Sequence, residues 1–104
     1  MWVPERYTDV RANDFGDSWQ LYYENANEEY LLIATWSASS MPNVDMGKMK
    51  EIEEKQIQGG NAIFYSKTTD GTNMLLWTAH DYIIQITGNA AVDEIEKIAE
   101  NFLF

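Results

Sequence analysis

Residues 74–87 read Met-Leu-Leu-Trp-Thr-Ala-His-Asp-Tyr-Ile-Ile-Gln-Ile-Thr, one of the clearest local patterns in the chain. Apolar and β-branched residues fill both of its ends, whereas the polar pair His80-Asp81 interrupts the middle. Such a pattern is typical of two β-strands joined by a tight turn. Upstream, residues 62–66 form another β-type run, followed by a turn that contains the favoured pair Asp70-Gly71. The second half of the chain therefore predicts three consecutive antiparallel strands.

The first half of the chain contains two further β-type runs, residues 19–23 and 30–37, on either side of a polar loop. Two strands around a short polar loop predict an antiparallel pair. Because side chains alternate between the two faces of a strand, each run divides into two sets. One face of the first strand carries Trp19, Leu21 and Tyr23, and one face of the second carries Tyr30, Leu32, Ala34 and Trp36.

Residues 92–102 carry the period of a helix. Apolar side chains recur at 3.6-residue spacing, Asn89 offers an N-cap, and Asp93 complements the positive end of the helix dipole. A single amphipathic helix needs an apolar surface to cover, and the strands supply one. We therefore expect an α+β fold, a five- or six-stranded antiparallel meander with the C-terminal helix packed on one face. The apolar stripe is Val92, Ile95, Ile98, Ala99 and Phe102.

Two other segments have weaker patterns. Residues 3–13 are polar, with Pro4 suited to the first position of a helical turn, and residues 13–18 have the composition of a loop. Residues 43–58 allow two predictions. In one, Asp45 caps a short helix that carries Met46, Met49 and Ile52 on one face; in the other, residues 54–58 form a strand. We expect the short helix followed by a short strand.

The composition excludes several classes of protein. The chain has 104 residues, the size of one domain, so we treat residues 1–104 as a single domain. It has no cysteine, which excludes disulfides, thiolate metal sites and cysteine nucleophiles. Its net charge of −10 opposes binding to nucleic acids and to anionic membrane surfaces. The apolar runs are strand-sized, and the N-terminus lacks the pattern of a signal peptide.

Candidate catalytic and metal-binding residues are few. His80 is the only histidine and stands beside Asp81, but a histidine in a hairpin turn is more often a solvent-exposed residue. A group of acidic residues is interspersed with lysines and has no EF-hand spacing; its members are Asp45, Glu51, Glu53 and Glu54. Gly59-Gly60 lacks the lysine of a phosphate-binding loop. The sequence therefore predicts no catalytic residues, no metal and no cofactor.

Aromatic residues offer the best candidates for binding. Strand periodicity places most of the aromatic residues Trp19, Tyr23, Trp36, Trp77 and Tyr82 in the core. Four tryptophans in a chain of this length still exceed the needs of packing, which makes one or two of these side chains candidates for an interaction surface. The candidate ligand-binding residues are Trp19, Trp36, Trp77 and Tyr82. If one sheet face is open, it forms an aromatic platform rimmed by carboxylates, suited to an apolar or cationic peptide segment or an acyl chain. In the alternative, residues 41–58 fold across that face and bury it.

Short motifs resemble a bacterial domain family of unknown function. Val3-Pro4-Glu5-Arg6-Tyr7 is similar to its Leu-Pro-x-Gly-Tyr opening, with Arg6 where the family usually has glycine. Residues 57–62, followed by Phe64-Tyr65, resemble its Ile-x-Gly-x-x-Ala-Tyr-Tyr strand pair. The closing half is also similar, at Leu76-Trp77, Tyr82-Ile83-Ile84, Gly88 and the terminal helix.

This resemblance implies a location and a class of role. The family is typical of the extracytoplasmic C-terminal part of membrane-anchored proteins of Gram-positive bacteria, chiefly Firmicutes, some of them similar to anti-sigma factors. The lead hypothesis is thus a non-enzymatic extracytoplasmic binding or sensory module, tethered by a membrane segment outside this chain. Its partner would be a peptide, a protein or an apolar ligand, and we expect a monomer.

Two hypotheses of other classes remain open. One is a small hydrolase that uses clustered carboxylates, which requires a buried acid with a raised pKa in a pocket. The other is a structural or oligomerisation domain that pairs through a strand edge or through the apolar C-terminus, Phe102-Leu103-Phe104.

Overall fold

The computed structural model describes residues 3–16, 18–37, 49–67 and 71–102. Within these residues the chain forms one antiparallel sheet of seven strands and one helix. The predicted α+β class with a C-terminal helix is therefore confirmed, whereas the predicted number of strands, five or six, is wrong. The elements are β1 (Asp9–Asp14), β2 (Ser18–Glu24), β3 (Tyr30–Ser37), β4 (Lys50–Ile57), β5 (Gly60–Lys67), β6 (Thr72–Ala79), β7 (Tyr82–Gly88) and α1 (Val92–Glu100).

The strand order is β1-β2-β3-β7-β6-β5-β4, so the sheet is not one continuous meander as the sequence predicted. It consists of two meanders, β1 to β3 and β4 to β7, joined where β3 pairs with β7. The register of this junction runs from Leu31 opposite Gly88 to Ser37 opposite Tyr82. The chain leaves β3 in the middle of the sheet and re-enters at the far edge with β4.

Strand β1 was absent from the sequence prediction, which assigned its residues to a polar segment and a loop. All six of its residues, Asp-Val-Arg-Ala-Asn-Asp, are exposed, and Asp and Asn disfavour strands. The strand exists because β2 offers a complete ladder, from Asp9 opposite Glu24 to Asp14 opposite Trp19. Tertiary pairing here overrides local propensity.

The prediction for the middle of the chain is confirmed in part where the structure describes it, because residues 54–57 of the predicted short strand lie in a strand. Ile52, assigned to one face of a short helix, lies in strand β4, which begins at Lys50. Asp45 and Met46, the predicted cap and first apolar residue of that helix, lie outside the described residues. Residues 50–57 of the segment that the alternative folded across a sheet face form the edge strand β4 instead, and residues 41–48 of that segment lie outside the described residues.

Helix α1 lies on one face of the sheet, and its apolar stripe is buried as predicted. Ile95, Ile98 and Ala99 have no exposed surface, and Phe102 is also buried. The N-cap is Ala91, without a side-chain cap, so the prediction of Asn89 as the cap is wrong. Asn89 instead binds the β2–β3 turn, because its Oδ1 accepts from Tyr30 N and its Nδ2 donates to Glu28 O.

The core lies between α1 and the face of the sheet that it covers, the helix face. Trp77 is at its centre, fully buried, and its Nε1 donates a hydrogen bond of 3.1 Å to Ile57 O. Tyr7 brings the N-terminal segment into the same core. The helix-face side chains in this cluster include Leu31, Ile33, Ile57, Ala62, Phe64, Leu75, Trp77, Ala79, Ile84 and Ile86.

Two hairpins turn through residues with positive φ. Gln58 and Gly59 connect β4 to β5 with φ of 47° and 77°, and His80-Asp81 connects β6 to β7 with φ of 51° and 65°. Two successive residues in this region form the turn that matches the twist of paired strands. His80-Asp81 was predicted as a tight turn, and this is confirmed.

Gly60 is needed because of close packing against β6. A Cβ at this position would lie 2.1 Å from Thr78 O, 2.7 Å from Ala79 Cβ and 2.9 Å from Trp77 Nε1. Two of these neighbours are held by the sheet and the third is the buried indole. Only a residue without a side chain fits here.

Gly60→Ala is expected to lower the free energy of unfolding by about 2–3 kcal/mol, because strands β5 and β6 must separate locally to admit the methyl group. Urea titration followed by tryptophan fluorescence measures the change. The matched control is the neighbouring Asn61→Ala, an exposed position, where the change should stay within about 0.5 kcal/mol. Equal stability of the two variants would contradict this account of Gly60.

Candidate ligand-binding face

The sheet has a second face, turned away from α1, which we call the outer face. Side chains alternate along each strand, so the residues between the helix-face positions point to it. On β3 these are Tyr30, Leu32, Ala34 and Trp36, the set that the sequence placed on one face. No helix or strand among the described residues packs on the outer face, since all seven strands belong to one sheet and α1 covers the other side.

Cross-strand neighbours extend this surface across the sheet. Leu32 lies opposite Tyr22 of β2, and Trp36 lies opposite Ile83 of β7. These four side chains are half-buried, so each keeps apolar surface in contact with solvent. Ala34, between Leu32 and Trp36, is buried. The outer face of β3 is therefore largely apolar and aromatic, and Tyr22 extends it onto β2, whose other outer-face residues are polar.

The side chains at one end of this surface hold each other in place. The rings of Tyr22 and Tyr30 stack with centroids 6.5 Å apart, and the Arg11 guanidinium lies 5.1 Å from the centroid of Tyr22. Arg11 also binds Glu24 at 2.8 Å. The Arg11 guanidinium thus makes a cation–π contact with Tyr22 and an ion pair with Glu24, and together these contacts hold the Arg11 side chain against β2. The aromatic pair thus presents a defined surface.

A depression of about 430 Å³ opens in the outer face beside this aromatic pair. Leu32 and Tyr22 provide its apolar lining, while Asn13 and Gln20 bring side-chain amides that can donate and accept hydrogen bonds. Arg11 completes its lining. The combination of apolar lining and amide groups suits a peptide, which has both kinds of surface.

A second depression of about 370 Å³ lies beside the same two strands, and Ala12, Asp14, Trp19 and Leu21 contribute to it. These four residues have the strand positions of the helix face. The Trp19 ring stacks on Phe102, with centroids 6.3 Å apart, which fixes the indole at the end of α1. Strands β1 and β2 are thus flanked by one depression on each side.

The structure does not bring the four predicted ligand-binding residues together. Trp36 is half-buried on the outer face, as a platform requires, and Trp19 lines the depression on the helix face. Trp77 is fully buried in the core, which conflicts with its predicted place on a binding surface. Tyr82 is 45% exposed at the start of β7, at a strand position on the helix face. Because side chains of β6 alternate between the two faces of the sheet, the sequence shows which residues share a face with Trp77. It does not show which of the two faces the helix covers.

Sequence reasoning missed Arg11, Asn13 and Gln20, which line the depression on the outer face. Arg11 and Asn13 were missed because β1 was not recognised as a strand, so nothing placed them beside Tyr22. The sequence did show Gln20 as a polar residue on the opposite face of β2 from Trp19 and Leu21. Its position opposite Ala34, a residue too small to cover it, becomes clear only from the register.

A network of ion pairs fixes the N-terminal segment at the other side of the sheet. Arg6 donates from Nε to Glu29 at 2.8 Å and from both terminal nitrogens to Glu94, at 2.5 and 2.8 Å. Asn25 donates to Glu29 and to the backbone oxygen of Arg6. Arg6, the position at which this chain departs from the resembled pattern, thus joins the β2–β3 loop to the first turn of α1.

The same contacts shift the pKa values of the partners. Hydrogen bonds from Arg6 lower the pKa of Glu94 below its ordinary value of 4.5. The pKa of Glu29 is also lowered, first by the hydrogen bond from Asn25 and then by the one from Arg6. Burial raises the pKa of Tyr7, whose hydroxyl receives a hydrogen bond of 3.2 Å from Arg6.

One acidic residue of β4, Glu53, lies beside Lys55 of the same strand. Lys55 binds Glu96 of α1 and also Glu53, at 3.2 Å, and the hydrogen bond with Glu96 is the main cause of its raised pKa. Among the described residues, no group of three or more histidine, aspartate or glutamate side chains is placed to hold a metal ion.

The fold and the outer face define a small α+β domain whose seven-stranded sheet has one face covered by a helix. The chain belongs to the family described as Domain of unknown function (DUF4367), whose model matches residues 1–102. The suspected membership in a family of unknown function is therefore confirmed. No curated protein and no solved structure matches the chain. No helix in the described part of the chain is long and apolar enough to cross a membrane.

The Arg6 network is expected to stabilise the fold in a pH-dependent way. Arg6→Met should lower the free energy of unfolding at pH 7 by about 1 kcal/mol, because the side chains involved are about one-third exposed and the pairing is screened by solvent. The lowered pKa values of Glu29 and Glu94 mean that this stabilisation is present above about pH 4.5 and is lost as the pH falls through the folded-state pKa values.

Denaturant titrations of both proteins between pH 7 and pH 3 measure this difference, which should shrink toward zero at the acidic end. The matched control is Arg11→Met, which removes the same charge from a more exposed pair and should cost less than about 0.5 kcal/mol. A difference that stays constant with pH would show that Arg6 acts through packing alone.

Proposed function

We propose that this domain is a non-enzymatic binding module that receives an apolar or cationic peptide segment on its outer face. The observation that carries the proposal is the surface formed by Tyr22, Leu32 and Trp36, which is apolar, half-buried and uncovered by any described helix or strand. Large apolar patches at the surface of a protein often serve for interaction.

The charge of the chain favours a cationic ligand. Seventeen acidic residues face seven basic ones, so the domain attracts a positively charged segment and repels a negatively charged one. Of the basic side chains, Arg6, Arg11 and Lys55 are already bound to carboxylates of the same chain. A peptide with lysine or arginine beside apolar residues therefore matches both the surface and the field around it.

No specific observation favours the hydrolase hypothesis. That hypothesis needs an acid whose pKa is raised by burial in a pocket. Among the described residues, the two carboxyl groups with clearly shifted pKa values, Glu29 and Glu94, both have lowered ones, because arginine and asparagine bind them. These residues stabilise the fold as carboxylates, and their role is to hold the N-terminal segment.

We further propose that the domain works outside the cytoplasm of a Gram-positive bacterium, as a monomeric part of a membrane-anchored protein. The support is the resemblance of its Val3–Tyr7, Ile57–Ala62 and Tyr82–Ile84 motifs to extracytoplasmic domains, some of them in proteins similar to anti-sigma factors. In such a protein, binding on the outer face would report the presence of a peptide to the membrane segment.

Titration of the domain with a twelve-residue peptide of lysine and leucine tests the binding surface. The methyl signals of Leu32 and the indole signal of Trp36 should shift, whereas the methyl signals of Leu31 and Ile33 in the same strand should not, because both are fully buried on the helix face. Leu32→Gln should weaken binding about fivefold, through the loss of about 1 kcal/mol of apolar contact.

The control variant is Ile52→Gln, which makes the same kind of change at a 51% exposed position in β4, the opposite edge of the sheet. Its affinity for the peptide should equal that of the unchanged domain. A peptide of glutamate and leucine should bind far more weakly. The proposal fails if Leu32→Gln leaves the affinity unchanged, or if no outer-face signal responds.

The proposed location is tested by cysteine labelling, since the chain contains no cysteine of its own. Ala26→Cys places a thiol in the exposed turn between β2 and β3. In intact cells, a maleimide that cannot cross membranes should label the full-length protein as fully as it does after lysis. Labelling that occurs only after lysis would place the domain in the cytoplasm.

A further inference from the structure

Strand β1 forms an edge of the sheet that differs from the opposite edge. Its six residues pair with β2 in a continuous register, and Val10 is 57% exposed. At the other edge, the register of β4 shifts between Glu51 and Glu53, and the strand carries five charged residues in Lys-Glu-Ile-Glu-Glu-Lys-Gln-Ile. Bulges and dense charge are the usual protection of an edge against a further strand. Strand β1 has no bulge in its register.

The register fixes which backbone groups of β1 point outward. Phe15 N donates to Ser18 O at 2.8 Å, which makes this a hydrogen-bonded pair. In an antiparallel ladder, hydrogen-bonded pairs alternate with pairs whose backbone groups point away. Residues 9, 11 and 13 therefore bond to β2, and the N–H and C=O groups of Val10, Ala12 and Asp14 face the free edge.

The two depressions flank this edge on opposite sides of the ribbon. On the helix side, Ala12, Trp19 and Leu21 offer apolar surface, and on the outer side Asn13 and Gln20 offer amides. A strand paired with β1 would send alternate side chains to these two sides. Recognition by strand addition has two requirements: free backbone groups, which give affinity, and depressions for alternate side chains, which give selectivity.

We propose that β1 accepts a basic, extended peptide segment as an eighth, antiparallel strand of the sheet. This inference goes beyond the proposed function, because it places a basic segment along the edge of the sheet rather than on the outer face and gives that segment a conformation, a register and a pattern of residues. Backbone hydrogen bonds to Val10, Ala12 and Asp14 hold the segment. Its side chains opposite Ala12 and Val10 enter apolar surroundings, and those opposite Asn13 and Arg11 meet polar groups.

The two ends of β1 determine the charge of the segment. Asp14 and Asp9 are both exposed, and an antiparallel strand that starts opposite Asp14 reaches Asp9 with its sixth residue. Basic residues at positions one and six therefore meet a carboxylate each. The resulting pattern is Lys-Thr-Val-Thr-Val-Lys. A second copy of this chain fits less well, because each copy carries a net charge of −10 and the two would repel each other.

The experiment titrates the domain with the synthetic peptide Lys-Thr-Val-Thr-Val-Lys and follows backbone amide exchange by NMR. The amides of Val10, Ala12 and Asp14 should exchange at least about tenfold more slowly in the complex, because each gains a hydrogen-bond partner. Amides of β4 that face the other edge should be unaffected. Glu-Thr-Val-Thr-Val-Glu should bind at least about tenfold more weakly at low salt.

Ala12→Pro removes one outward N–H and fills the edge with the proline ring, while the hydrogen bonds between β1 and β2 remain. It should weaken binding at least about tenfold. Ala12→Val, which keeps the N–H, should bind like the unchanged domain. The matched control at the opposite edge is Gln56→Pro, whose N–H also faces outward because Ile57 and Gly60 close the two-residue turn as a bonded pair. Thermal unfolding checks that each variant folds.

Asp9→Lys provides a second test that leaves the backbone intact, and it should weaken binding about threefold at low salt. The inference is overturned if the peptide fails to bind at millimolar concentration, or if Ala12→Pro binds as well as Ala12→Val. Shifts of Leu32 and Trp36 without protection of the β1 amides would refute strand addition while leaving the outer face as a binding site. Protection of these amides that rises with protein concentration, without peptide, would identify a second copy as the occupant.

Discussion

The pairing of β3 with β7 is the interaction on which the rest of the structure depends. Each of the two meanders alone would have two unpaired edges, and their junction places one edge of each, β3 and β7, in the middle of the sheet. The contact is close: a Cβ on Gly88 would lie 2.3 Å from Tyr30 O. Asn89, directly after β7, extends this junction, because its side chain binds the backbone of Glu28 and of Tyr30 at the end of the β2–β3 turn.

This junction also creates the two different faces of the sheet. With β3 and β7 side by side, Leu31, Ile33, Ile84 and Ile86 form a continuous apolar area that α1 can cover. The alternate residues of the same strands, among them Leu32, Trp36 and Ile83, then point to the outer face. The same strands therefore carry one apolar set of side chains in the core and a second, half-buried apolar set on the outer face. The second set is the basis of the proposed binding function.

The sequence was sufficient where structure depends on local pattern. The period of residues 92–102, the runs of β5 to β7 and the turn at His80-Asp81 all predicted their elements, because neighbouring residues carry the signal. Strand β1 could not be found in this way, since Asp-Val-Arg-Ala-Asn-Asp becomes a strand only through the ladder that β2 provides. The junction of β3 with β7 joins residues at least 45 positions apart, and no local pattern specifies such a pair.

The binding surface could be predicted only in part, because it depends on strand β1 and on the pairing of β3 with β7. Alternation gave the set that contains Trp36, but only the structure shows that Trp77 lies under the helix and that β1 brings Arg11 and Asn13 to Tyr22.

The short C-terminal helix obtains support from distant parts of the chain. Helix α1 has nine residues and no side-chain N-cap, and isolated helices of this length are marginal in water. Arg6 binds its first turn, and the side chain of Gln58 donates to the backbone oxygens of Ala99 and Phe102 near its end. Gln58 lies in the turn between β4 and β5, 41 positions before Ala99 in the chain. A change in this turn therefore acts on the C-terminal helix as well as on its own hairpin.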